Sequence, residues 1–346
     1  MTATPVPVVA AAGLADRRRR RVLGLVVLVF LLLALGAASI VFGTRTIPLG
    51  DVWTALVRPN GTEVDIIVRS LRVPRTLVGV LAGLALGAAG ALMQGHTRNP
   101  LADPGLLGVT QGAALGVVFA VVVLGANGIY EYIWFGFAGA MLASVAVFVL
   151  GAIGGRGATP VTLALAGAAV SALLHGLISA VVLGNDQGME IYRFWRVGSI
   201  AGRDFGVTGQ LLPFLLLGLV LAVVNTPGMN TLALGDDVAR ALGQRVGATR
   251  ALGVVAITLL VGAAVAACGP IAFLGLVVPH LARAITGPDY RWLVPFSALL
   301  GAALLLAADV LGRVLTGDSF EVGILLAILG APVFIVLVRR KGLARI

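Results

Sequence analysis

The sequence has few charged residues and few of the side chains from which enzyme active sites are built. Asp, Glu, Lys and Arg make up 12% of the 346 residues, whereas 59% are hydrophobic; a soluble domain carries about 25% charged residues. The single cysteine, Cys268, excludes an internal disulfide framework. The three histidines, His96, His175 and His280, lie far apart and show no metal-ligand spacing. These absences argue against a soluble enzyme and predict no metal site in this chain.

Lysine is also nearly absent, and this bears on nucleotide binding. The only lysine is Lys341, which follows Arg339 and Arg340. A P-loop has the pattern G-x-x-x-x-G-K-[ST], in which the lysine reaches the nucleotide phosphates. The sequence therefore has no standard P-loop, and we expect this chain to bind neither ATP nor another cofactor. The net charge of +10 comes from arginines scattered between apolar runs, which mark topology and do not indicate nucleic-acid binding.

Long apolar runs make up most of the chain and predict an all-α polytopic membrane protein. A helix needs about 20 apolar residues to cross a bilayer. Ten runs qualify, of which the eighth and tenth are short: 22–43, 74–95, 105–124, 132–153, 160–183, 206–225, 250–268, 270–286, 293–312 and 321–338. The second run carries small residues four apart, which predicts close helix packing; they are Gly79, Gly83, Gly87, Ala91 and Gly95.

Basic clusters near both ends predict the topology. Five arginines occupy residues 17–21, and a second cluster begins at Arg339. The positive-inside rule places both termini in the cytoplasm, which requires an even number of spans. Loops and tails assigned inside then hold 16 basic and five acidic residues, and the outer loops hold nine of each. We expect cytoplasmic tails at 1–21 and 339–346 around a membrane domain at 22–338. A cleaved signal peptide is the alternative for the first run, but its length favours a retained helix.

Two halves of the membrane domain have similar numbers of spans. Residues 74–183 and 250–338 each contain four. If each half counts five spans, which is odd, any repeat that relates the halves must be inverted.

Residues 232–250 form a polar island between two apolar runs. Asp236 and Asp237 open it, and Arg240, Arg245 and Arg250 follow. This order of charges suits the dipole of a short helix. Val238, Ala241 and Leu242 share one face at i, i+3 and i+4 spacing. Gly243 follows as a helix stop. The island predicts an amphipathic helix beside the membrane that docks onto a partner.

Ionisable side chains are scarce inside the spans. Asp309 lies four residues before Arg313, which predicts an i,i+4 ion pair. Ion-coupled secondary transporters usually bury several ionisable groups, so this class remains only an alternative. Ser171, His175 and Ser179 lie four apart on the fifth span. This polar stripe either faces a wet cavity or is hydrogen-bonded within the subunit.

Several motifs resemble those of FecCD-type permeases, the membrane subunits of ABC importers for iron–siderophores, haem and cobalamin. They occur in order from about residue 22 to 340: Arg72-Val-Pro-Arg75-Thr; Gln94; Asn99-Pro-Leu-Ala-Asp-Pro-Gly-Leu-Leu-Gly-Val-Thr-Gln-Gly-Ala113; Leu234-Gly-Asp with Ala239-x-x-Leu-Gly243; Gly269-Pro-Ile-x-Phe-Leu-Gly-Leu-Val-Val-Pro-His280-x-x-Arg283; Ala308-Asp309-x-x-x-Arg313; and Gly330-Ala-Pro-x-Phe334. Before the last span, family members commonly have Pro-x-Glu-x-Pro-Val-Gly, whereas this chain lacks those prolines in residues 316–323.

The resemblance implies a fold, partners and sites. It implies a type II ABC importer permease in the cytoplasmic membrane, paired with a second permease subunit, two ATPases that bind the ATP, and an extracytoplasmic binding protein. It assigns ATPase coupling to residues 232–250, especially Gly235, Asp236, Asp237, Ala239, Leu242 and Gly243. It assigns binding-protein docking to Arg72, Arg75 and Arg313, with membrane-interface snorkelling as the other interpretation of the first two. It places the cargo path along Ser171, His175 and Ser179. An iron–siderophore is the expected cargo, with haem or cobalamin as alternatives.

Overall fold

The computed structural model describes residues 9–126, 128–153, 159–316 and 321–339, and within these ranges the chain forms helices without a β-strand. The predicted tail residues 1–8 and 340–346 lie outside the described residues, as do Arg156 and the centre of the last outer loop, 317–320. The predicted all-α fold is confirmed for the part that is described.

The described residues contain fourteen α-helices. They are α1 (Val9–Val41), α2 (Leu49–Val57), α3 (Glu63–Ile66), α4 (Val73–Thr97), α5 (Val109–Val122), α6 (Ile129–Ala152), α7 (Pro160–Val182), α8 (Asp186–Val197), α9 (Phe205–Leu232), α10 (Asp236–Ala241), α11 (Val246–Cys268), α12 (Leu274–Thr286), α13 (Tyr290–Thr316) and α14 (Val322–Arg339).

The ten predicted spans each correspond to one of these helices. Seven described segments are long and apolar enough to cross a membrane: α1, α3 continued into α4, α6, α7, α9, α11 and α13. Helices α5, α12 and α14 are apolar but shorter, as expected for the last two. The inverted repeat stays a prediction.

The third predicted span, residues 105–124, differs most from the structure. A 3-10 turn at Pro104–Leu107 precedes α5, and Gly108, with φ of 71°, separates the two. A Cβ on Gly275 of α12 would lie 2.8 Å from Pro104 and 3.3 Å from the carbonyl oxygen of Leu86. The connection after α4 therefore returns to the middle of α4 before α5 begins, which shortens the helix. Apolarity alone did not distinguish this packed turn from helix.

Helix α4 lies at the centre of the bundle, packed against α9, α11, α12 and α13. Its glycines allow backbone contact with its neighbours. A Cβ on Gly83 would overlap Ala302, and one on Gly87 would overlap the carbonyl oxygen of Ser297. The predicted packing role of the ridge is thereby confirmed, because small residues let membrane helices approach closely.

A π-helical segment, Ile67–Arg72, joins α3 to α4 in one continuous helix. A π-turn holds one more residue than an α-turn and often occurs at functional sites. Here it ends at Arg72, whose side chain is buried beneath the end of α1.

The glycine contacts predict a steep stability cost at the centre of the bundle. Gly87→Ala should lower the thermal unfolding midpoint in detergent, since overpacking costs about 1–3 kcal/mol. Gly176→Ala in α7 is the matched control, because a Cβ there meets nothing within 4 Å and alanine favours a helix. Equal midpoints for the two variants would contradict the close packing of α4 and α13.

Candidate functional site

The polar island folds as predicted into a short helix, α10, between α9 and α11. Gly235, with φ of 111°, precedes the helix, and Gly243, with φ of 80°, follows it. The amide of Gly243 donates to the carbonyl of Arg240 at 2.9 Å, which closes the last turn. Only glycine adopts such positive φ values at low cost, so the predicted stop at Gly243 is confirmed.

The two acids at the start of α10 have different environments. The Asp236 carboxylate accepts hydrogen bonds from the guanidinium of Arg98 and, at 2.8 Å, from that of Arg250. Arg98 also donates to the carbonyl of Leu232 at the end of α9, at 3.0 Å. By contrast, the Asp237 side chain is 98% exposed and pairs only locally with Arg240 among its described contacts. Asp236 therefore joins α10 to α4, α9 and α11, whereas Asp237 faces outward.

The apolar residues of the island form an exposed surface. Leu234, Val238 and Leu242 are each between 47% and 65% exposed, whereas Ala239 is fully buried. Val238, Ala241 and Leu242 were predicted to share a face, and all three are exposed; Leu234 was not included in that prediction, although it lies four residues before Val238. Exposed apolar patches rimmed by charge are typical of protein contact sites. Leu242 thus faces a potential partner, and Ala239 holds the helix against the bundle.

At the opposite end of α4, a second carboxylate lies between two arginines. Asp309 of α13 is fully buried and accepts from Arg75 Nη2 at 2.6 Å and from Arg313 Nη2 at 2.8 Å. The predicted i,i+4 pair with Arg313 is confirmed, but its partner Arg75 was missed because it lies 234 residues away in sequence. A buried charge needs such partners to offset its desolvation.

Two of the three arginines predicted to dock the binding protein, Arg72 and Arg313, also bind the end of α1. Arg72 Nη1 donates to the carbonyls of Ile40 and Val41, each at 2.7 Å. Arg313 Nη1 donates to the carbonyl of Phe42 at 2.8 Å. The last carbonyls of a helix lack partners within it and carry partial negative charge. The predicted docking arginines therefore hold α1, α4 and α13 together, and their docking role stays a prediction.

The arginine cluster lines a cavity of about 500 Å³, which we call the arginine cavity. Besides the three predicted arginines it contains Arg45, Arg203 and Asp204, which the sequence reading did not single out. A hydrogen bond from the Tyr130 hydroxyl lowers the pKa of the Asp204 carboxyl, which also caps α9. The cavity is thus strongly basic around one carboxylate.

The polar stripe of α7 lies toward the surface of the single chain. His175 is exposed, and Ser171 and Ser179 are half-buried. The Ser179 hydroxyl donates to the carbonyl of His175 at 2.9 Å, within its own helix. Neighbouring apolar residues such as Leu173 are also exposed. The described residues contain no cluster of three or more potential metal ligands.

Known proteins with similar sequences are transport permeases. The FecCD transport family matches residues 31–340. The ferric enterobactin transport system permease protein FepD of Escherichia coli strain K12 is 44% identical over 91% of this chain and 94% of its own length. A probable siderophore transport system permease protein of Bacillus subtilis strain 168, YfiZ, is 38% identical over 91% and 95%. The cobalamin import system permease protein BtuC of Halobacterium salinarum is 35% identical over 88% and 85%.

A solved structure agrees with these relatives. A metal-chelate type ABC transporter in an inward-facing conformation superposes with a TM-score of 0.80 and 27% identity, covering 92% of this chain and 99% of that one. The chain belongs to the FecCD transport family. It is a multi-pass membrane permease subunit of an ABC transporter, which works with another permease subunit and an ATPase and is not itself an enzyme.

The buried carboxylate between Arg75 and Arg313 predicts a large stability effect. Asp309→Asn should lower the free energy of unfolding by about 3 kcal/mol or more, because it leaves two buried guanidiniums without their countercharge. Asp237→Asn is the matched control, since an exposed pair contributes at most about 1 kcal/mol. Thermal unfolding of the purified subunit in detergent measures both. A variant Asp309→Asn as stable as the control would refute the described ion-pair geometry.

The different environments of the two α10 acids predict different effects on coupling. Asp236→Ala should reduce transport-stimulated ATP hydrolysis several-fold, because α10 loses its attachment to Arg98 and Arg250. Asp237→Ala should reduce it less, because Asp237 makes only an exposed local pair with Arg240 and does not attach α10 to the bundle. Both variants are measured with the complete transporter in proteoliposomes, after checking that the subunits co-purify. Equal losses in the two variants would show that docking charge, and not attachment to the bundle, matters at this position.

Proposed function

We propose that this chain is the membrane-spanning subunit of an ATP-driven importer that moves an iron–siderophore complex across the cytoplasmic membrane by alternating access. The cargo is inferred from relatives whose names include ferric enterobactin and other siderophores. The observation that carries the mechanism is the attachment of α10 to α4 and α11 through Asp236.

Coupling begins at the exposed surface of α10. The ATPase contacts Leu234, Val238 and Leu242, which offer apolar area for a groove. Gly235 and Gly243 permit the sharp turns at either end of the helix, and Ala239 packs it against the bundle. ATP is bound and hydrolysed on the ATPase, and this chain contributes no cofactor.

A displacement of α10 is then transmitted to the bundle through the Asp236 carboxylate. Because Asp236 contacts Arg98 at the end of α4 and Arg250 near the start of α11, a displacement of α10 acts on both helices. Each is a long, buried segment of the bundle. A change in their tilt opens the path alternately to the two sides, as rigid helices shift against one another.

The two ends of α4 indicate where the partner proteins bind. Two ATPases bind on the α10 side, which is cytoplasmic together with both termini and the tails 1–21 and 339–346. A binding protein docks at the arginine cavity on the outer side, where Arg72, Arg75 and Arg313 are among the lining residues. Acidic residues on the binding protein would complement this charge.

A second permease subunit, identical or paralogous, covers the exposed face of α7. Ser171, His175 and Ser179 lie there, on a helix with little buried surface in the single chain. Polar residues within a membrane usually face a protein interior or a wet cavity. The stripe therefore lines the cargo path between the two subunits.

Cobalamin is a second candidate cargo, because the Halobacterium relative carries that name, and haem is a third. Coupling to an ion gradient is disfavoured. Asp309, the buried acid within α13, is held by two arginines at 2.6 and 2.8 Å, which engage both of its carboxylate oxygens.

Uptake by the reconstituted transporter tests the proposed function. Proteoliposomes with both permease subunits, the ATPase and the binding protein should accumulate a radiolabelled ferric siderophore only when ATP is supplied. Cyanocobalamin and haem serve as the alternative cargoes. Uptake driven by a proton or sodium gradient without ATP would overturn the assignment.

A further inference from the structure

Helix α1 carries a groove of about 570 Å³ near its basic end, on a face that the bundle leaves uncovered. The helix packs against α13 along one side, and only 11% of its apolar stretch is buried in the single chain. The groove shares no lining residue with the arginine cavity, and we call it the α1 groove. Its lining residues all belong to α1 and are all exposed: Arg18, Arg19, Val22, Leu23 and Val26.

The basic residues of α1 divide between two roles. Arg21 faces the bundle, where it lies 3.9 Å from the Asp289 carboxylate and 5.8 Å from the centre of the Trp292 ring. Arg18 and Arg19 line the α1 groove instead, and its described lining residues include no carboxylate. Guanidinium groups make strong, often bidentate hydrogen bonds to phosphate oxygens. The basic end of the groove therefore suits a phosphate group.

An apolar face continues directly from the two arginines. Val22, Leu23 and Val26 are each between 45% and 62% exposed, and Phe30 and Leu33 are exposed further along the helix. At 1.5 Å per residue, the stretch from Val22 to Leu33 is about 16 Å long, which is close to half of a hydrocarbon core of about 30 Å. A phosphate at the arginines and acyl chains along this face would together cover the groove, whereas a soluble anion would leave the apolar face bare.

We propose that the α1 groove binds an anionic phospholipid, whose phosphate contacts Arg18 and Arg19 and whose acyl chains lie along Val22, Leu23 and Val26. The site goes beyond the importer function. It takes from that function only the cytoplasmic position of the first tail, which places the lipid in the cytoplasmic leaflet, where anionic headgroups attract basic segments beside a membrane helix. A zwitterionic lipid binds less tightly, because its own cation is repelled by the two guanidinium groups.

Lipid titration of the purified full-length subunit in detergent tests the site. Native mass spectrometry measures the binding of dioleoylphosphatidylglycerol, with dioleoylphosphatidylcholine as the zwitterionic comparison. Arg18→Gln/Arg19→Gln should weaken phosphatidylglycerol binding by about twentyfold, since each basic residue near an anionic lipid contributes about fivefold in affinity. Phosphatidylcholine binding should change little. Arg17, Arg20 and Arg21 remain in this variant, so the basic cluster still marks the orientation of the first span.

Two control variants separate charge from folding. Arg18→Lys/Arg19→Lys keeps both charges and should retain most of the affinity for phosphatidylglycerol. Arg58→Gln/Arg69→Gln makes the same change in net charge at exposed residues outside the groove, and it should bind like the wild type. Equal affinity of the wild type for the two lipids, an unchanged affinity in Arg18→Gln/Arg19→Gln, or an equal loss in the Arg58/Arg69 control would each overturn the proposal.

Two further measurements distinguish other occupants of the α1 groove. The free headgroup glycerophosphoglycerol should bind far more weakly than the whole lipid; equal affinities would indicate a simple anion site and overturn the lipid assignment. The ATPase should co-purify equally with the wild type and with Arg18→Gln/Arg19→Gln. Loss of the ATPase from that variant would assign the arginines to a protein interface and would also overturn the proposal. Lipid binding is measured without transport, so a failure of iron uptake would refute the importer function and leave this result intact.

Discussion

Backbone contact between α4 and α13 is the constraint on which the rest of the molecule depends. Membrane helices gain little from hydrophobic burial against one another, so association relies on close packing. Gly83 and Gly87 provide it, because a side chain at either would overlap the backbone of α13. With α13 so close, α9, α11 and α12 also reach α4. Helix α4 thus contacts most of the bundle, and it also runs from the α10 side of the subunit to the arginine cavity.

Each end of α4 is fixed by the same electrostatic arrangement, a carboxylate between two arginines. At one end Asp309 receives Arg75 and Arg313, and at the other Asp236 receives Arg98 and Arg250. One arginine of each set is supplied by α4: Arg75 lies in its first turn, and Arg98 directly follows its last residue. A buried or half-buried carboxylate is costly alone but specific about its partners. These two triads set where α4 sits relative to α13 and to α10.

Local features were predictable from the sequence, and long-range ones were not. The ten spans, the glycine ridge, the stop at Gly243 and the pair of Asp309 with Arg313 depend on residues within a few turns, where periodicity carries the information. The pair of Arg98 with Asp236 joins residues 138 apart, which no periodicity records. Helices α2 and α8 were missed as helices because they lie outside the ten apolar runs, and α5 was overestimated because its packed turn is as apolar as a helix.

The π-helical segment before α4 has a consequence for chain length. Each residue of an α-helix turns the next by about 100°. A π-turn is wider and holds about one more residue, so the six residues of Ile67–Arg72 turn the chain about as far as five α-helical residues would. The segment therefore takes up one additional residue while α3 and α4 keep the angular phase of an uninterrupted helix. Loss of one residue here would let the segment relax to an ordinary helix without rotating α3 about the axis of α4. The number of residues at this point can thus change by one while Arg72 stays beneath the end of α1.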